Sequence, residues 1–94
     1  MTRSLLVRKI TPVLRRHRVK RSSLFGSYAR GEQKKGSDVD ILIEPPKGMT
    51  LFGLAGLKLE LEKKLGMKVD VLTYDGVSPR LKNYIEQEAV RIYG

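Results

Sequence analysis

The spacing of apolar residues predicts helices at the start and in the middle of the chain. In residues 4–17 apolar side chains recur every three or four positions, as on one face of a helix, and the arginines fall on other faces. Pro12 interrupts this segment, so we expect it to kink the helix or to mark its boundary. Residues 51–65 repeat leucine at helical spacing between Thr50, a capping residue type, and Gly66, a terminating one.

Three shorter segments predict β-strands. Residues 38–44 alternate strictly, so that their valine and two isoleucines share one face, and two prolines then stop the strand. Residues 20–26 and 68–74 are the other candidate strands. Between the first two strands, the sequence favours a short helical turn over 27–31 and a polar loop over 32–37.

A last helix is predicted to begin at Ser78, an N-cap residue type, with Pro79 at its first position. Its apolar face would extend towards the end of the chain through Leu81, Tyr84, Ile85, Ala89 and Ile92. The predicted fold is therefore one α/β (α+β) domain over residues 1–94, with a small mixed sheet of three strands flanked by helices. The expected order is helix, strand, strand, helix, strand, helix.

Composition favours a soluble globular protein and is compatible with the cytoplasmic location that we expect. Hydrophobic residues make up 40% of the 94 residues and charged residues 31%, as in folded domains. No apolar run approaches the roughly 20 residues of a membrane helix, and the first residues show no signal-peptide core, so no membrane is expected as a partner. The absence of cysteine excludes disulfides, thiolate catalysis and cysteine-ligated zinc.

The net charge of +9 is concentrated at one end of the chain. Residues 1–31 contain nine lysines and arginines and no acidic residue, whereas the remaining residues contain ten of each sign. Such a field attracts phosphates, nucleic acid or an acidic partner protein. On charge alone, a solvated basic helix face that keeps the protein soluble is an equal interpretation.

Candidate chemistry begins where the first strand meets the short helical turn. Backbone N–H groups at the start of a helix are free to bind a phosphate, Gly26 allows a close approach, and Ser27 adds a hydroxyl. Alone, this pair is a common turn.

Two aspartates follow ten residues later and share one face of the next strand. Asp38 and Asp40 are two positions apart, so their carboxylates would repel unless a divalent cation lay between them. Asp70 lies inside another apolar strand. If that strand is a neighbour, three carboxylates could hold two metal ions. Taken singly, Asp38 could cap its strand and Asp70 could be an exposed residue, but together the three favour a functional site.

Two motifs resemble the signature of the DNA polymerase beta-like nucleotidyltransferase superfamily. They are GSYARG at residues 26–31 and SDVD at residues 37–40, in the form seen in minimal nucleotidyltransferases, small prokaryotic proteins. The third carboxylate of that family falls on Asp70. The resemblance spans nearly the whole chain and implies the nucleotidyltransferase fold.

The resemblance also implies an enzyme that transfers a nucleoside monophosphate, with ATP as the expected substrate. It implies that Asp38, Asp40 and Asp70 hold two Mg²⁺ ions and that Gly26 and Ser27 bind the β- and γ-phosphates. Arg30 and Ser37 are further candidates for nucleotide binding. Arg30 could equally form an ion pair with the adjacent glutamate, and Ser37 could instead bond the backbone beside the first aspartate.

Minimal members of this family are often encoded with a HEPN-domain RNase toxin, which the nucleotidyltransferase neutralises by transferring AMP, commonly to tyrosine. The resemblance thus implies an antitoxin. Larger members append an acceptor-binding domain, and 94 residues leave no room for one. The acceptor surface is therefore expected from a protein partner or from a second copy of the chain in a homo-oligomer.

Two other hypotheses remain open. One is a non-catalytic subunit that only binds its partner, against which the three aspartates argue. The other is a nucleic-acid-binding module that uses the basic N-terminal helix, although no aromatic and glycine RNA-binding signature accompanies it.

Overall fold

Four helices and four strands alternate along the chain in the computed structural model, which describes residues 1–94. The helices are α1 (Arg3–Arg16), α2 (Ser27–Arg30), α3 (Leu51–Leu65) and α4 (Pro79–Glu88), and the strands are β1 (Arg21–Phe25), β2 (Val39–Glu44), β3 (Val69–Thr73) and β4 (Val90–Tyr93). The mixed α+β class is confirmed. None of the helices has both the length and the apolar character needed to cross a bilayer.

The strands form one mixed sheet in the order β3-β2-β1-β4. β1 pairs antiparallel with both β2 and β4, whereas β2 and β3 are parallel and are connected through α3. Parallel neighbours need such a crossover, because the chain must return to the same end of the sheet before the second strand begins.

The prediction of three strands is wrong at the end of the chain. α4 ends at Glu88, Ala89 is already extended (φ −70°, ψ 140°), and Val90–Tyr93 forms β4 instead of a further helical turn. These residues include β-branched and aromatic side chains, which favour strands, and the segment is too short for its apolar pattern to distinguish a helical period from a strand period. It forms a strand because it pairs with the free edge of β1.

The hydrophobic core lies between one face of the sheet and the pair α1 and α3. Each helix contributes one apolar stripe, as its sequence period predicts, and the central strands contribute the residues that alternate towards it. The fully buried members include Leu6, Ile10, Leu14, Leu57, Leu61, Leu24, Val39, Ile41, Ile43 and Val69. The opposite face of the sheet carries polar residues together with Leu42, which is also fully buried.

Local capping explains the helix boundaries better than proline does. The Thr2 hydroxyl accepts the Leu5 N–H at 3.2 Å and begins α1, which then continues unbroken past Pro12, so Pro12 marks no boundary. Pro12 is exposed, where the carbonyl that lacks an N–H partner can be hydrated. Thr50 caps α3 as predicted, accepting the Gly53 N–H at 3.2 Å.

The predicted C-terminus of α3 and the predicted N-terminus of α4 are both found in the structure. Gly66 ends α3 in the left-handed conformation (φ 68°, ψ 27°), as expected of a terminating glycine. Ser78 occupies the N-cap position of α4 with Pro79 next, as predicted, although its side chain makes no capping hydrogen bond. Position alone does not orient a hydroxyl towards the free N–H groups.

Polar side chains on the sheet face opposite the core tie three strands together. The Ser23 and Tyr74 hydroxyls are 2.6 Å apart, and the Arg21 guanidinium lies 4.2 Å from the centre of the Tyr74 ring. Arg21 Nε also donates to Glu44 Oε1 at 2.7 Å. Tyr74 thus links the end of β3 to β1 across β2.

Tyr74→Phe is expected to lower the free energy of unfolding by about 1 kcal/mol, because the buried Ser23 hydroxyl loses its partner while the ring that stacks on Arg21 remains. Urea denaturation measures the change. Tyr93→Phe is the matched control, since the Tyr93 hydroxyl makes no hydrogen bond within the chain. Equal losses in the two variants would contradict the assignment.

Candidate functional site

The site begins at the glycine between β1 and α2. Gly26 adopts φ 72° and ψ −150°, a conformation that residues with a side chain rarely adopt. A Cβ atom placed on Gly26 would lie 2.5 Å from Oδ2 of Asp40, so there is no space for one. Glycine is therefore required here for two reasons, and its backbone lies directly against the Asp40 carboxylate.

The residues after Gly26 fix the short helix α2 to the core. Ser27 is the first residue of α2, and the N–H groups of Ala29 and Arg30 donate to the Gly26 carbonyl at 3.1 Å. Tyr28 is buried, and its hydroxyl contacts Met67 Sδ at 3.7 Å. The start of α2 is thus fixed in place, and the Ser27 hydroxyl and the first N–H groups of this helix lie next to the Asp40 carboxylate.

The parallel register of β2 and β3 brings two predicted aspartates side by side. Asp40 pairs directly with Asp70, so both side chains lie side by side on the sheet face opposite the core. Burial raises the pKa of Asp40, and the nearby charges of Asp70 and Asp38 raise it further, while Arg30 partly offsets them. The exposed Asp38 precedes β2 by one residue and contributes through its charge.

The chemistry of these side chains fits a hard divalent cation such as Mg²⁺. Three carboxylates lie within electrostatic reach of one another, and the charges of Asp70 and Asp38 contribute to the raised pKa of Asp40 after burial. No three acidic or imidazole side chains converge closely enough to enclose a metal ion by themselves. Mg²⁺ commonly takes one or two carboxylates and completes its shell with water and substrate phosphates, so an open set suits it.

Arg30 forms the predicted ion pair and also lies near the carboxylates. Its Nε lies 3.3 Å from Glu32 Oε2, which is the ion pair, and it also lies close enough to Asp40 to lower that carboxyl's pKa. Its Nη1 donates to the Tyr84 hydroxyl at 3.3 Å, which brings α4 to the site. Sequence reasoning missed Tyr84 as a site neighbour, because helical spacing assigned it to an apolar face.

Ser37 takes part in the loop before β2. Its hydroxyl accepts the Lys34 N–H at 2.8 Å, and its own N–H donates to the Lys34 carbonyl at 2.9 Å. These bonds close the turn that leads into Asp38. The hydroxyl is therefore engaged with backbone, as one of the two predicted alternatives has it.

Comparison with known proteins identifies the family. Residues 7–92 match the model of the nucleotidyltransferase domain. The chain belongs to the nucleotidyltransferase family. The predicted resemblance is thereby confirmed, and the protein is an enzyme of the nucleotidyltransferase class.

Two relatives of this nucleotidyltransferase come from archaea. MJ0435 of Methanocaldococcus jannaschii, named as a candidate protein adenylyltransferase, is 56% identical over 85 residues, which cover 90% of this chain and 91% of that protein. The protein adenylyltransferase MntA of Thermococcus cleftensis is 34% identical over 74 residues, which cover 79% of this chain and 75% of MntA.

Solved structures share the fold of this nucleotidyltransferase. A structure described as a candidate minimal nucleotidyltransferase aligns with a TM-score of 0.83 at 38% identity, covering 96% of this chain and 95% of that one. A crystal structure of a toxin–antitoxin complex with AMP-PNP aligns with a TM-score of 0.82 at 26% identity, covering 94% of this chain and 73% of that one.

Proposed function

We propose that this nucleotidyltransferase transfers AMP from ATP to a hydroxyl group of a protein. The observation that carries the proposal is the side-by-side pair Asp40 and Asp70, with the Asp40 carboxylate against the backbone of Gly26. A glycine turn next to paired carboxylates suits a triphosphate and its cation. The choice of AMP and of a protein acceptor is supported by the names of the two archaeal relatives and by the AMP-PNP complex of the structural neighbour.

Each candidate residue has a role that follows from its place. The backbone at Gly26 and the N–H and hydroxyl groups of Ser27 would bind the β- and γ-phosphates. Asp38, Asp40 and Asp70 would hold two Mg²⁺ ions together with the triphosphate. When bound, Mg²⁺ neutralises phosphate charge and lowers the pKa of the acceptor hydroxyl. Arg30 is near enough to add positive charge beside the phosphates.

The transfer is a single displacement at phosphorus. The acceptor oxygen forms a bond to the α-phosphorus as the bond from that phosphorus to the bridging oxygen of the β-phosphate breaks. Pyrophosphate leaves with the electron pair of the broken bond, and the hydroxyl proton passes to the Asp70 carboxylate or to water. Because Asp70 lies on the edge strand, it is the carboxylate that an incoming acceptor reaches from outside the sheet.

We further propose that the acceptor is a HEPN-domain RNase toxin modified on tyrosine, so that the enzyme acts as an antitoxin in the cytoplasm. The family resemblance implies this partner, and the toxin–antitoxin complex among the structural neighbours supports it. An acceptor protein would supply the binding surface that larger nucleotidyltransferases carry as a second domain.

A labelling experiment tests the proposal. The protein is incubated with Mg²⁺ and with the product of the adjacent gene, using ATP labelled in the α-phosphate or, as the control, in the γ-phosphate. We expect label on the partner from α-labelled ATP only, together with release of pyrophosphate. Failure to transfer from any nucleoside triphosphate would defeat the proposal, and tight binding without transfer would favour a non-catalytic subunit.

A further inference from the structure

The strand that carries Asp70 is an edge strand with one open side. The Val39 N–H donates to the Lys68 carbonyl and the Tyr74 N–H donates to the Ile43 carbonyl, so the even-numbered residues of this segment bond to β2. Because backbone groups alternate along a strand, Val69, Val71 and Thr73 direct theirs away from the sheet. β2 is the only strand next to β3.

Part of this outer edge is already bonded within the chain. The Val69 N–H donates to Glu62 Oε2 at 3.0 Å, and the Thr73 carbonyl accepts the Gly76 N–H at 3.1 Å. The Val69 carbonyl, both backbone groups of Val71 and the Thr73 N–H are left without a partner in the chain. This row of donors and acceptors is a template for one more strand.

The two sides of this edge differ in chemistry. Asp70 and Leu72 lie on the sheet face opposite the core, where Leu72 is 43% exposed. On the core side, a shallow cavity of about 190 Å³ lies beside Thr73 and is lined mainly by apolar residues, Leu51 and Leu54 of α3 among them. Leu51 is 84% exposed, although it borders this cavity.

We propose that the acceptor polypeptide docks as an extended strand along the outer edge of β3. This inference rests on the proposed function and names the acceptor's binding surface. Side chains of a strand alternate between its two faces, so a residue opposite Asp70 projects to the carboxylate face, and a residue three positions away projects to the core side. The acceptor hydroxyl thus lies beside Asp70 while an apolar side chain of the same segment enters the cavity beside Thr73.

Continuity with the candidate catalytic residue is the reason to assign this edge to the acceptor. The other edge strand, β4, carries none of the candidate site residues. Only at β3 do open backbone groups, an apolar cavity and a candidate catalytic carboxylate lie on one strand. The preferred acceptor is therefore an extended segment with a hydroxyl residue and an apolar residue separated by an odd number of positions.

Two synthetic peptides of identical composition test this register. Both have a central tyrosine among lysines and glutamines, and leucine lies three residues to each side in one peptide and two residues to each side in the other. We expect α-labelled ATP to label the first peptide about tenfold faster, and the backbone amide NMR signals of Val71 and Thr73 to shift only with that peptide. Equal labelling, or shifts on another surface, would overturn the inference.

Two variants separate the backbone contact from the cavity. Val71→Pro removes the outward N–H at an edge position, where proline is best tolerated. Leu51→Ser removes the exposed apolar border of the cavity, and Leu59→Ser is its matched control, since Leu59 is 65% exposed on the same helix and does not line the cavity. We expect Val71→Pro and Leu51→Ser, but not Leu59→Ser, to abolish the preference for the first peptide.

The outcomes also distinguish this inference from the proposed function. Amide shifts at Val71 and Thr73 without labelling of either peptide would retain the docking surface and reject the transfer activity. Equal labelling of both peptides would retain the transfer activity and reject the docking surface. A concentration-dependent dimer that Val71→Pro abolishes would assign the edge to a second copy of the chain and overturn the inference.

Discussion

Asp40→Asn is expected to reduce nucleotidyl transfer by about 10³-fold or more, because it removes a charge at the centre of the proposed metal site. The substitution is nearly isosteric and leaves the register of β2 and β3 unchanged. Initial rates with α-labelled ATP measure the loss. Asp75→Asn is the matched control, since Asp75 is exposed in the turn after β3, and it is expected to retain the wild-type rate.

The same substitution should leave the metal-free protein at least as stable as the wild type. Burial and the charges of Asp70 and Asp38 disfavour the ionised Asp40 carboxylate, and the neutral amide does not experience that repulsion. We therefore expect the Tm without metal to be equal to or above that of the wild type. ATP with Mg²⁺ should raise the Tm of the wild type and not that of the variant. Full activity in Asp40→Asn would show that the site is elsewhere.

Gly26→Ala is expected to lower transfer by about 100-fold or more, because the new methyl group occupies the space of Asp40 Oδ2. Either the carboxylate or the junction between β1 and α2 must move, and both belong to the proposed site. The backbone conformation adds a cost of roughly 1–3 kcal/mol in stability. Steady-state rates and urea denaturation measure the two effects separately.

Gly31→Ala provides the matched control for that variant. Gly31 has the same φ of 72°, but its ψ of 21° lies in the left-handed helical region, and a Cβ atom placed on it would have no neighbour within 4 Å. We expect a loss of about 1 kcal/mol in stability with nearly unchanged activity. If the two alanine variants lost activity equally, contact with Asp40 would not be the reason that position 26 is glycine.

Sequence reasoning located most elements of this fold to within one residue, because the signals are local. α3 coincides with the predicted 51–65, where a threonine cap, a leucine stripe and a terminating glycine all agree. The predicted last helix shows where such reasoning fails. Val90–Tyr93 satisfies an apolar spacing that both periods allow, and only the free edge of β1 selects a strand.

The residues of the candidate site also fall into two groups: some were indicated by the sequence, and others are brought together only by the fold. The glycine-serine turn and the aspartates Asp38 and Asp40 could be selected from spacing and from the family motif. The direct pairing of Asp70 with Asp40 depended on which strand lies beside β2, and the contact of Arg30 with Tyr84 depended on where α4 packs. Periodicity reports neither contact, since each joins residues that are distant along the chain, and only the family resemblance implied that Asp70 belongs to the site.

By itself, the sequence determined the helices, three of the four strands, the family and the residues that are candidates for chemistry. Each of these depends on side chains a few positions apart, through capping, periodicity or a short motif. The tertiary structure alone decided the fourth strand, the order of the sheet and the open edge beside Asp70. Those features are set by which backbone groups find partners far along the chain, and that choice is made only when the sheet assembles.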